Sequence, residues 1–131
     1  MIFKSFEINK INKKINQLIL FYGKNEGLKN EALNILIKDE NDIQNYEEKE
    51  ILDNENSFIE NILSKSLFEK EKFIVIKRTT DKILKVIETL HLKNLEDITI
   101  ILNSDNLEKK SKLRSLFEKD KKIVCVPFYP D

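Results

Sequence analysis

Gly23 and Gly27 stand between an apolar run, Leu18-Ile19-Leu20-Phe21-Tyr22, and a helical pattern. Strand, glycine, helix is the order in which a phosphate-binding loop is built. That loop needs two glycines separated by four residues, then Lys and then Ser or Thr. Its backbone N–H groups cradle the phosphates, its lysine reaches the terminal ones and its hydroxyl holds magnesium. Here Gly23 and Gly27 enclose only Lys24, Asn25 and Glu26, and Leu28 follows Gly27 where the lysine belongs. Glu26 would set a carboxylate at the anion-attracting end of the helix. The magnesium carboxylate expected after a central strand is missing as well. Phe73-Ile74-Val75-Ile76 runs into Lys77 and Arg78, and Ile98–Leu102 runs into Asn103 and Ser104, with Asp105 too far along.

Other chemistries fail in the same way. A response-regulator site needs paired acids early in the chain and an Asp after a central strand, and neither is present. His91 lies between Leu90 and Leu92 with no second His or Cys in range. It reads as an ordinary surface or core histidine rather than a metal ligand. Cys125, the single cysteine, sits in the apolar run Ile123-Val124-Cys125-Val126 and reads as a small buried hydrophobe. A reactive thiolate would want a basic neighbour. No Ser, His and acid constellation can be assembled from these spacings. The expectation is a non-catalytic chain without metal or cofactor.

The elements that would position any site alternate between strand and helix. Strands are predicted at Leu18–Tyr22, Phe73–Ile76, Ile98–Leu102 and Ile123–Val126, with a short edge strand at Ile43–Tyr46. Helices are predicted at Asn25–Ile37 (apolar at Leu28, Ala32, Leu33, Leu36 and Ile37), Ser57–Leu67, Asp81–Leu92 and Leu107–Phe117. Phe3–Lys14 alternates apolar and polar residues and could add another edge strand. Continuous apolar strands between helices imply an α/β fold of three layers, a parallel sheet with helices on both faces. The 131 residues suit one domain. Stopping at Pro130-Asp131, just past a strand, is expected of a piece of a longer protein.

Lys plus Arg and Asp plus Glu both total 23, which argues against bulk affinity for nucleic acid or anionic membrane but not against a local basic patch. No apolar stretch approaches ~20 residues, so no membrane span is predicted. Lys4, Glu7 and Lys10 interrupt the N-terminus, so it is not a signal peptide. A reducing, cytoplasmic setting fits.

One apolar pair does not fit the core pattern. With Phe58 at zero on a helical wheel, Ile59, Ile62 and Leu63 fall within an arc about 140° wide. Leu67 lands at about 180° and Phe68 at about 280°, off that face. If the helix persists to Phe68, the pair forms an exposed apolar anchor of the kind a partner's pocket takes. If the helix ends at Ser66, the pair folds under the sheet instead.

Three segments resemble the N-terminal domain of the delta subunit of the bacterial DNA polymerase III clamp loader. Leu20-Phe21-Tyr22-Gly23-Lys24-Asn25-Glu26 resembles its opening strand and turn. Ser66-Leu67-Phe68, then Phe73-Ile74-Val75-Ile76-Lys77-Arg78, resembles its clamp-binding helix end and the following strand. Ser104-Asp105-Asn106-Leu107-Glu108-Lys109-Lys110-Ser111-Lys112-Leu113-Arg114, then Val124-Cys125-Val126-Pro127-Phe128-Tyr129, resembles its next helix and final strand. The resemblance implies an AAA+-like domain without a working nucleotide site. It also implies that Ser66, Leu67 and Phe68 bind the sliding clamp (the beta subunit) and help open the ring in DNA replication. The family's lid and collar domains, which hold the other loader subunits, lie outside residues 1–131, and DNA would be met only through the complex. Two rivals stand beside this reading: a P-loop-like nucleotide-binding or phosphoryl-transfer domain, and a stand-alone adaptor using another surface.

Overall fold

The computed structural model describes the chain except residues 39, 41, 69–71, 94, 96, 130 and 131, and the side chains of residues 65–68. In chain order the elements are β1 (Leu18–Tyr22), α1 (Glu26–Ile37), β2 (Ile43–Glu47), α2 (Glu48–Leu52), α3 (Glu55–Phe68), β3 (Lys72–Lys77), α4 (Leu84–Leu92), β4 (Ile98–Ser104), α5 (Lys112–Lys119) and β5 (Val124–Pro127). The strands form one sheet in the order β2-β3-β4-β1-β5, every neighbouring pair parallel. As the alternation of elements requires, this is an α/β fold with helices on both faces.

The two-residue period of the strands divides the core. Leu18, Leu20, Ile74, Ile76, Ile100 and Leu102 face a layer built from α2, α3, α4 and α5, represented by Ile51, Phe58, Ile87 and Phe117. Ile19, Phe21, Val75, Ile101 and Val124 face α1 and the N-terminal segment, represented by Ala32, Leu36 and Ile8. All five residues of β1 are buried, as the unbroken apolar run demands of a central parallel strand. Among the described residues no helix is long and apolar enough to cross a membrane.

Three expectations are corrected. Phe3–Lys14 is not an edge strand: pairing stops after a single bridge, Ile2 with Cys125, and Ser5–Lys10 coils into a 3₁₀ segment. The Glu7 carboxylate accepts the Lys4 N–H at 2.9 Å, closing a turn where a strand would have to extend. The last helix starts at Lys112 rather than Leu107. Ser111 accepts the Arg114 N–H at 3.2 Å, and the Asp81 carboxylate accepts from the Ser111 hydroxyl and from the N–H groups of Lys112 and Leu113. Those contacts satisfy donors that every helix start leaves open. On α1, Leu28 is not a core residue; Lys29 is buried in its place.

Candidate functional site

The carboxyl ends of the strands are where open α/β sheets bind ligands, and here that edge is filled by the protein itself. Gly23 adopts φ +125°, a conformation that side chains strongly disfavour. A Cβ on Gly23 would lie 2.1 Å from the Phe128 carbonyl oxygen. The chain leaving β5 is laid across the glycine turn: the Phe128 N–H donates to the Tyr22 carbonyl at 2.8 Å, and the Asn25 side chain donates to the Tyr129 carbonyl at 3.2 Å. The same Asn25 side chain accepts the Leu28 N–H at 3.1 Å, which caps α1.

Lys29 is the residue that sequence reasoning missed. Counted from Gly23 instead of Gly27, the lysine of a phosphate loop falls at position 29. Its side chain is 1% exposed. An unpaired ammonium there would be strongly destabilising, and two acceptors answer it: the Ser104 carbonyl at 3.0 Å and the Glu26 carboxylate at 2.8 Å. Around them the Thr79 and Ser104 hydroxyls, both buried, are hydrogen-bonded to each other, and the Thr79 N–H donates to the Asn103 carbonyl. The cation that would grip a phosphate is thus committed inside the protein. Glu26 lies at the helix start, as expected from the sequence.

At this edge the position after β3, where a magnesium carboxylate would stand, holds Arg78. Lys77 ends β3 and Arg78 follows it, both exposed, and the Arg78 guanidinium pairs with Glu47. No group of three or more metal-ligating side chains occurs among the described residues. His91 contacts Asp120 at 2.8 Å. Burial would raise the Asp120 carboxyl, but the N–H groups of Lys122 and Ile123 and the His91 contact outweigh it and hold the pKa below the ordinary value. Cys125 is fully buried, and burial pushes its thiol up to about 11, the opposite of what a nucleophile needs.

The opposite edge of the sheet holds the end of α3. This helix runs unbroken through Ser66, Leu67 and Phe68, so it does not stop at Ser66. Phe58 and Ile62 are buried, and Ile59 and Leu63 pack against the same cluster. Phe58 also meets Tyr46 edge-on at 5.1 Å between ring centroids. These four residues define the core side of α3, the arc the periodicity assigned. The side chains of Ser66, Leu67 and Phe68 lie outside the described residues. Lys72 opens β3 four Cα steps after Phe68, a span of at most about 15 Å, so the helix end stands at the amino-terminal edge of the sheet.

No protein-family model matches the sequence, and no curated protein matches it. Solved structures do. The Bacillus subtilis DNA clamp loader delta protein (YqeN) superposes with a TM-score of 0.62 at 13% identity. The chain has its fold. The match covers 95% of this chain and 42% of the delta protein. Saccharomyces cerevisiae RIF2 superposes with a TM-score of 0.59 at 17% identity, over 97% of this chain and 54% of RIF2. The chain therefore spans about half the length of the solved proteins it resembles, and at these identities the likeness is one of fold.

Proposed function

We propose that this domain is a non-catalytic clamp-gripping module of a DNA clamp loader. In this reading Leu67 and Phe68, with Ser66 beside them, enter an apolar cleft of the sliding clamp and help open the ring. The supporting observation is the length of α3: it stays helical through Phe68. With Phe58 and Ile62 buried, helical periodicity sets Phe68 about 280° round from Phe58, away from the core. The delta-like fold supports the same reading, and so does the filled nucleotide edge, which leaves binding rather than hydrolysis as the domain's work. The remaining loader subunits would be held by lid and collar domains beyond residues 1–131, and DNA met through the assembled complex.

The test is a pair of measurements on the Leu67→Ala, Phe68→Ala double variant. Burying both side chains at an interface contributes roughly 3–6 kcal/mol by transfer estimates. Affinity for the cognate clamp is therefore expected to fall by about two orders of magnitude or more, while the melting temperature stays close to the parent's. A drop in melting temperature of the size expected for lost core residues would place the pair under the sheet. Unchanged clamp affinity in a folded variant would refute this site.

A further inference from the structure

The zero net charge of the chain conceals a separation of charge. An open groove of about 1640 Å³ follows the edge where the strands begin, with Leu18, Phe73 and Ile98 in its wall. Among the described residues, seven lysines line it against three carboxylates, Glu40, Asp97 and Asp120. With Glu7 and Asp42, the partners of Lys10 and Lys72, counted in, the described residues keep a formal surplus of two positive charges in a chain whose sum is zero. Lys10, Lys13 and Lys72 are paired with Glu7, Glu40 and Asp42. Lys14, Lys119, Lys121 and Lys122 are exposed and form no ion pair among the described residues. Complementing the helix dipole accounts only for Lys119, in the last turn of α5, because that effect fades beyond the last turn. Lys121 and Lys122 lie past it, and Lys14 belongs to no helix.

We infer that this groove is the electrostatic part of the clamp-docking face and takes an acidic protein surface that also carries apolar groups. The inference rests on the reading of α3 given above and extends it to a second set of residues. Two observations select a protein over a nucleic acid. Leu92, 84% exposed, and Ile15, 62% exposed, line the groove among the lysines. A phosphodiester backbone offers nothing apolar to cover them, whereas the core and rim of a protein interface pair apolar contacts with charge. Lys72, in the groove wall, also opens β3 within about 15 Å of the end of α3. The groove and the Leu67–Phe68 turn thus share one edge of the sheet. The groove's contribution is to the encounter: a basic surface raises the association rate with an acidic one, and salt screens it.

Association and dissociation rates with the cognate sliding clamp test this, across a salt series, for the parent chain, for a Lys14, Lys119, Lys121 and Lys122 to Ala variant, and for the Leu67→Ala, Phe68→Ala variant. The lysine variant is expected to associate about tenfold or more slowly at low salt and to lose most of the parent's salt dependence. The Leu67, Phe68 variant should keep that salt dependence and dissociate faster. Parent-like rates and salt dependence in the lysine variant overturn the groove while leaving the clamp reading standing. Failure of the parent to bind the clamp overturns both. Salt-sensitive binding of a 20-base oligonucleotide by the parent, lost in the lysine variant, overturns the acidic-protein assignment in favour of nucleic acid.

Discussion

Gly23→Ala tests whether the chain after β5 really closes the nucleotide edge. At φ +125° an alanine meets a backbone strain of roughly 1–3 kcal/mol. Its Cβ would also fall 2.1 Å from the Phe128 carbonyl oxygen, so that carbonyl must retreat by about 1 Å to reach even a tight contact. Phe128 is 1% exposed, donates its N–H to Tyr22 and packs edge-on against Phe21 at 5.0 Å between centroids. Loosening the hydrogen bond costs about 1 kcal/mol, and disturbing the ring pair roughly 0.5–1.5 kcal/mol. The sum is roughly 3–5 kcal/mol, which for a domain of this size lowers the melting temperature by about 10–20 °C. Gly27→Ala is the matched control. Its Cβ would meet nothing closer than the Asn25 side-chain oxygen at 3.7 Å, and alanine favours the helix, so stability should hold or rise slightly. Thermal and urea melts by circular dichroism read both variants. A Gly23→Ala domain melting within about 2 °C of the parent, or a Gly27→Ala domain equally damaged, would refute the closure.

Two further outcomes follow from the same geometry. With Lys29 bound to Ser104 and Glu26, calorimetric titration with ATP, with or without magnesium, should show no saturable heat; a one-to-one isotherm would contradict the filled site. Burial would raise the Asp81 carboxyl, but hydrogen bonds from Ser111, Leu113 and Lys112 outweigh it and lower the pKa. A lowered folded value contributes stability above the unfolded value of about 3.9 that is lost as pH falls through the folded one. Asp81→Asn should therefore melt below the parent at pH 7 and approach it in acid; a constant gap across that range would show that the charge is immaterial.

The parallel sheet was legible in the sequence because a strand covered on both faces must be apolar at every position, as Leu18–Tyr22 and Phe73–Ile76 are. Helix α1 was legible from the spacing of Ala32, Leu33 and Leu36. The burial of Cys125 was equally local, legible from its place in the apolar run Ile123–Val126. The N-terminal segment was misread because alternation at Phe3–Lys14 reports only which residues seek cover, and a 3₁₀ turn held by Glu7 hides Ile8 as well as a strand would. The start of α5 was misread because its cap, Ser111, is held by Asp81, which comes from thirty residues away. Lys29 could not be recognised as a core residue, since a lysine is buried only where folding brings acceptors to it, and Ser104 arrives from the far end of β4. The same holds for the lysine groove. A net charge of zero is a sum over the chain, while the field at one edge of the sheet depends on which lysines the parallel crossovers gather there.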